Sequence, residues 1–191
     1  MATIIGISGA LRRGSYNTAL LRNAVELAPP GLTIEVASIR DVPLYDGDRE
    51  AEQGIPDPVR ALKDSLAAAD GLLLVTPEYN NSLPGVMKNA IDWMTRPPAD
   101  IPRVFGGKPV ALMGTTPGSG GTVLAHVAWL PVLRTLGMQP WFGPRVHVSH
   151  AAQVFAPDGR IVDDAIRAAV AKFLSGFADF IARVAPRARI D

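Results

Sequence analysis

The 191-residue sequence predicts a three-layer α/β fold, a five-stranded parallel sheet with helices on both faces. Three observations predict it. Short apolar runs alternate along the chain with longer segments of helical periodicity, the pattern of a repeated strand–helix unit. The apolar runs are continuous rather than alternating, as in strands covered on both sides. Loops rich in Gly, Ser, Thr, Asn or Pro follow the first, third and fourth runs, at the carboxyl edge where such sheets bind ligands. The length suits one domain over residues 1–191.

Each element has its own warrant. Residues 2–8 contain the run Thr3-Ile4-Ile5-Gly6-Ile7 and read as a central strand. Leu20, Leu21, Ala24, Val25 and Ala28 then recur at helical spacing, so a helix is expected over residues 15–27, stopped by Pro29-Pro30-Gly31. Residues 33–37 form a second strand whose Glu35 places it nearer a sheet edge. Residues 39–56, with Pro43, Gly47, Gly54 and Pro56, read as a long functional or mobile connection. Asp57 is expected to cap a helix over residues 58–69, with Pro58 at its first position and Val59, Leu62, Leu66 and Ala69 on one face. Residues 71–76 are the strongest buried strand in the chain.

A helix follows from Pro84 or Gly85 to about Thr95, then a Pro-rich loop over residues 96–102. Residues 108–114 supply a fourth strand, and a helix over residues 121–136 ends at Gly137, with Pro131 expected to bend it or break its ladder. A fifth strand falls either at 139–142 or at 146–148. Val154-Phe155, a Pro-Asp-Gly turn and Ile161-Val162 suggest a small hairpin. The last helix covers residues 163–184, with Ile166, Val170, Phe173, Phe177 and Ile181 as its apolar stripe, and residues 186–191 are expected to fray.

Composition removes several function classes. A formal net charge of +1 with no basic run argues against a nucleic-acid surface, and it is unlike a strongly acidic electron carrier. With no cysteine there is no disulfide, thiolate nucleophile or cysteine metal site. No apolar run approaches the roughly 20 residues of a membrane span. The first residues lack a signal-peptide pattern, so a cytoplasmic protein is expected.

The chemistry gathers in the three loops at residues 8–17, 76–84 and 114–122. The first leads from a strand into a helix start, where backbone N–H groups and the helix dipole favour a phosphate. Arg12 and Arg13 add positive charge, and Ser8, Ser15, Asn17 and Thr18 add polar side chains. The loop is not a nucleotide P-loop, because Gly14 stands where the lysine should precede Ser15. Nor is it a dinucleotide fingerprint, since Gly6, Gly9 and Gly14 have the wrong spacing. Pro117-Gly118-Ser119-Gly120-Gly121 imitates a hydrolase elbow, but no acid and then histidine follow in the required order. His126, His147 and His150 lack partners at ligand spacing and read as packing or surface residues.

The second loop is the specific one. Pro77-Glu78-Tyr79-Asn80-Asn81-Ser82-Leu83-Pro84-Gly85, continued by Val86-Met87-Lys88-Asn89-Ala90-Ile91-Asp92-Trp93, resembles the signature of the NAD(P)H-dependent FMN reductase family. That family belongs to the flavodoxin-like superfamily and includes quinone, chromate and azo-dye reductases. Gly9, Leu11, Arg12, Gly14, Ser15 and Asn17 also match the family's phosphate loop, with Ala10 replacing its usual serine. The resemblance covers the chain to about residue 150.

The resemblance implies a flavodoxin-like sheet of order 2-1-3-4-5, FMN as prosthetic group and NADPH or NADH as co-substrate. It implies ping-pong hydride transfer through the flavin to a quinone or other small acceptor, with no catalytic side chain. Implied cofactor contacts are Ser8, Leu11, Arg12, Ser15 and Asn17 in the first loop, Pro77, Glu78, Tyr79, Asn80 and Ser82 in the second, and Thr115, Thr116 and Gly118 in the third. A homodimer or homotetramer is also implied. Trp93-Met94 and the helix carrying Val127, Trp129 and Leu130 suit either an interface or a core. The alternative is a flavodoxin-type electron carrier, which a well-populated semiquinone in a redox titration would reveal.

Overall fold

The computed structural model describes residues 1–184, so the tail expected to fray lies outside the described residues. β1 (Ala2–Ser8) lies between β2 (Leu32–Ala37) and β3 (Gly71–Val75), and β4 (Pro109–Thr115) follows β3, all in parallel. The sheet order is β2-β1-β3-β4-β5, as the resemblance implies, with a sixth strand paired to β4. β3 is buried at every residue, whereas β2 alternates and exposes Glu35 at the sheet edge.

Both alternatives for the fifth strand are used. β5 (Gln139–Pro140) pairs with the start of β4 and β6 (His147–Val148) with its end. Between them residues 142–145 leave the ladder, while Trp141 N still donates to Val110 O and Val146 O still accepts from Gly114 N. Pro144 has no N–H to give, and the Trp141 ring packs edge-on against Phe173 at 4.9 Å.

Alternation along each strand divides the core in two. Ile4, Leu73, Val75, Ala111 and Met113 face α1 (Tyr16–Glu26) and α8 (Asp164–Val184). Ile5, Ile7, Leu72, Leu74 and Val110 face α3 (Asp57–Ala68), α4 (Gly85–Met94) and α6 (Val123–Thr135). The α8 stripe is buried at Val170, Phe173, Phe177 and Ile181, and Ile166 packs at its margin. Trp93, Met94 and Trp129 are core residues, while Val127 and Leu130 face outward.

Five local expectations are corrected. Residues 39–56 are not a free connection, because α2 (Gly47–Gln53) forms there, capped by Asp46. Asn89 Nδ2 and Trp93 Nε1 both donate to the Pro43 carbonyl, at 2.8 and 2.9 Å, and Arg96 Nε donates to Glu50 at 2.8 Å. Asp57 is not the cap of α3. Pro56 takes that place and Asp57 enters the first turn, where its charge suits the helix dipole. The Pro-rich loop holds a 3₁₀ turn (Pro98–Asp100) and α5 (Ile101–Val104), where Arg103 and Lys63 hold the Asp100 carboxyl well below the usual range. α6 passes Pro131 as one helix and stops at Gly137, whose φ is +66°. The hairpin reduces to one bridge, Phe155 to Ile161, because α7 (Ala151–Val154) takes up Val154.

β6 brings His147 against His126 of α6, with 4.2 Å between ring centroids. His126 Nε2 and His147 Nδ1 are buried without a partner among the described residues. Burial, then the neighbouring His147, pushes His126 down to about 3, and burial, then Arg145, also lowers His147. Burial favours the neutral form of both rings in the folded chain, and each takes a proton more readily when unfolded. Their contribution is therefore full above about pH 6.5 and is lost as pH falls toward the folded value. Denaturant midpoints should drop between pH 7 and 5, with a slope of up to about 1.4 kcal/mol per pH unit for a single ring. His126→Gln should flatten that slope. A wild-type midpoint unchanged across this window contradicts the assignment.

Candidate functional site

β1, β3 and β4 all end at the same edge of the sheet, since Ser8 pairs with Val75 and Val75 with Met113. The chain runs from β1 outward to β2, then returns to β3 and proceeds the other way, so the strand order reverses there. The three loops leaving that edge meet, as the sequence predicts.

They are braced to one another by buried polar contacts. Asn17 reaches from the start of α1 to the end of β4, where its Nδ2 donates to the Thr115 carbonyl at 2.9 Å and its Oδ1 accepts from the Thr115 N–H at 3.0 Å. Both bonds are buried and span 98 positions of sequence. Glu78 Oε2 accepts from the N–H groups of Leu124 and Ala125 at 2.8 and 3.0 Å, tying the second loop to the start of α6. Thr122, at the cap position of that helix, makes no side-chain cap bond, so Glu78 does the capping from a distance. Gly9 donates to the Val75 carbonyl at 2.9 Å. A Cβ on Gly9 would come within 2.9 Å of both Pro77 and Pro84, so the first two loops touch.

Tyr79 and Ser82 exchange backbone bonds at 3.0 and 3.1 Å around Asn80 and Asn81, whose φ values are 51° and 61°. This is a tight two-residue turn of the type that asparagine tolerates. It leaves Tyr79 nearly half exposed at its base. The third loop is held from behind: His150 N donates to Gly118 O at 2.9 Å and Ala151 N to Thr116 O at 3.1 Å.

Between the loops lies a slot that brings together Arg12, Ser15, Asn17, Pro77, Glu78, Tyr79, Thr115 and Thr116. Ser8 and Leu11 do not line it. They face a neighbouring cavity, where Ser8 Oγ lies 3.0 Å from Thr18 Oγ1. Asn80 and Ser82 stand in the exposed turn and Gly118 on the exposed third loop, all outside the slot lining. Ala10, Tyr16 and Pro117 also line the slot. Tyr16 was legible in principle as the aromatic at the helix start, but its direction follows from the stack it makes on Phe155, at 5.6 Å.

The donors of the slot fit an anionic, polar ligand. Ser15 caps α1, its Oγ accepting from Thr18 N at 3.3 Å. The N–H groups of Gly14, Ser15, Tyr16 and Asn17 bond to no other group among the described residues, so they remain available at a helix start. The Arg12 guanidinium donates to the Gly14 carbonyl at 2.9 Å and lies over the Tyr16 ring. The Thr115 hydroxyl lines the slot, buried and without a partner among the described residues. A buried hydroxyl left unpaired is costly, and a ligand oxygen or nitrogen in the slot would satisfy it. One dianionic phosphate at the helix start, with a polyol and a flat ring beyond it, matches this donor set.

Comparison with known proteins gives the same reading. The model of the NADPH-dependent FMN reductase family matches residues 2–153. The chain is 42% identical over 181 residues to an NAD(P)H-dependent FMN reductase of Pseudomonas aeruginosa, covering 95% of this chain and 96% of that protein. It is 37% identical over 175 residues to a 2-hydroxy-1,4-benzoquinone reductase of a Burkholderia species, covering 92% and 93%. Among solved structures, the flavoenzyme NAD(P)H:(acceptor) oxidoreductase of Paracoccus denitrificans superposes with a TM-score of 0.85 at 34% identity, covering 96% and 98%. An archaeal flavodoxin shares the fold, with a TM-score of 0.61 at 13% identity over 94% of this chain and 99% of that one. The chain belongs to the NADPH-dependent FMN reductase family, and is an FMN-dependent NAD(P)H oxidoreductase of flavodoxin-like fold.

Proposed function

We propose that the three strand-end loops hold one FMN and that the enzyme reduces quinones or similar small acceptors with NAD(P)H. The observation that carries this is the contrast within the loops. Their bracing groups, Asn17 and Glu78, are committed to the protein, while the helix-start N–H groups and the Thr115 hydroxyl remain free.

FMN supplies the redox chemistry when bound, accepting a hydride from the nicotinamide and passing it to the acceptor. The chain supplies position and field. The N–H groups at the start of α1 and the Arg12 guanidinium hold the phosphate, and Ser15 keeps that helix start capped. The Thr115 hydroxyl, unpaired among the described residues, would be available to the ligand beside Asn17. Pro77, Glu78 and Tyr79 would border the ring, and the Asn80-Asn81 turn fixes the loop that carries them. Thr116 and Pro117 would flank its other side. Asn17 and Glu78 act as positioning residues, since their side chains brace loops rather than face the ligand.

Val123, Val127 and Leu130 form an exposed apolar row on α6 and are the surface on which a second copy of the chain would pack, giving a homodimer or homotetramer. Among the described residues no helix is long and apolar enough to cross a membrane, and we infer a cytoplasmic enzyme.

The test of activity is steady-state oxidation of NADPH by FMN-loaded protein with 1,4-benzoquinone as acceptor. Parallel double-reciprocal plots, the mark of a ping-pong cycle, are expected. No FMN-dependent oxidation above background contradicts the proposal.

A further inference from the structure

Beside the FMN slot lies a second cavity of about 650 Å³, larger than the slot and far more basic. Arg12, Arg13, Arg22 and Arg40 all line it, and of these only Arg12 also lines the slot. Arg22 rises from α1, one turn after Thr18, and Arg40 comes from the segment after β2. Phe155, Pro157, Asp158 and Gly159 also line it.

The charge in this cavity is not balanced. Among the described residues none of the four arginines makes an ion pair, whereas Arg60, Lys63, Lys88, Arg96, Arg103 and Arg160 all do. The one carboxylate in the lining, Asp158, is held by Arg160 at 2.7 Å. Two of the guanidiniums are anchored without being neutralised. Arg40 donates to the Leu11 carbonyl and Arg12 to the Gly14 carbonyl, and each keeps further N–H groups free. Four like charges around one cavity repel one another until an anion enters.

FMN does not account for them. Its single phosphate, with a charge of roughly −1.5 to −2 at neutral pH, is matched by Arg12 and the start of α1. The cavity joins the slot along Ala10, Arg12, Ser15 and Tyr16, and Arg13, Arg22 and Arg40 line the part of it that the slot does not share. Planar guanidiniums in a group are suited to phosphate oxygens, and the co-substrate NAD(P)H brings phosphates beyond the one on FMN.

We propose that Arg13, Arg22 and Arg40 form a second phosphate subsite that takes a phosphate of an adenine dinucleotide. The inference rests on the FMN reading above. That chemistry has two sources in this enzyme: the 2′-phosphate of NADPH, or the adenylate half of FAD bound in place of FMN. The first source makes the enzyme prefer NADPH over NADH. The second makes it hold FAD more tightly than FMN.

Arg22 is the residue to vary, because it is exposed and its side chain braces nothing among the described residues, whereas Arg40 holds the Leu11 carbonyl. Arg22→Glu and Arg22→Ala are compared with wild type in two arms. With FMN-loaded enzyme, KM for NADPH should rise about tenfold in Arg22→Glu and less in Arg22→Ala, with KM for NADH and both kcat values within about twofold. With flavin-free protein, fluorescence titration reads Kd for FMN and FAD. If FAD is the source, its Kd rises about tenfold while that for FMN holds. A selective effect in either arm supports the subsite and identifies its source. Equal changes for both members of each pair, or no change in either arm, overturn it. Wild-type protein that takes up no flavin overturns the FMN site itself and this subsite with it, so the two failures are distinct.

Discussion

Asn17→Ala should cost about 2–5 kcal/mol of folding stability and raise the Kd for FMN at least about tenfold. The magnitude comes from what the side chain leaves behind. Its amide satisfies both the N–H and the carbonyl of Thr115, and both bonds are buried. Alanine removes both partners at once. An orphaned buried polar group costs roughly 1–3 kcal/mol, and here there are two. The affinity loss follows from position, because the same two bonds set the distance between the helix start and the end of β4. Urea unfolding and flavin fluorescence titration measure the two effects. A variant of wild-type stability that binds FMN normally would show that the clasp is incidental.

Gly114→Ala should destabilise the fold by about 3 kcal/mol and abolish tight FMN binding. A Cβ at this position would lie 2.2 Å from the carbonyl oxygen of Thr76 and 2.4 Å from Thr122 Oγ1. The first of these is backbone, so it cannot rotate away as a side chain could. Either β3 and β4 separate at their carboxyl ends or the loops after them splay. Both movements open the slot between Pro77 and Thr115. Thermal unfolding and FMN titration test the pair of effects together. An alanine variant that melts with wild type would mean that the strands already have room at this point.

Much of this was legible in the sequence, for a physical reason. A central parallel strand must be apolar throughout and must stop at a loop, so Ile4 to Ile7 and Leu72 to Val75 announce both the sheet and the edge where the site lies. The Pro77 to Pro84 segment and the Ser15 cap were readable because turns and caps use few residue types. What was not legible is direction over distance. Asn17 and Glu78 read as polar residues facing a ligand, yet their side chains run to Thr115 and to Leu124 and Ala125, partners that sequence spacing cannot point to. The split fifth strand was hidden for a similar reason. Gln139–Pro140 and His147–Val148 are each too short to show a period, and β4 alone makes them strands. The α2 helix was masked by Gly47 and Gly54, which flank a polar segment without a buried residue.

The slot also shows why family membership and physics agree. A helix start with free N–H groups, an arginine, a buried hydroxyl and a fixed backbone edge are cheap to recognise separately and rare together. Their common origin is the reversal of strand order between β1 and β3, the place where sheets of this kind bind ligands.

A crystal structure of the protein loaded with FMN tests the central claim most directly. It should show one flavin per chain, its phosphate on the N–H groups of residues 14–17 and its ring between residues 77–79 and 115–117. A flavin bound elsewhere, or seated with its phosphate away from the start of α1, would contradict the account.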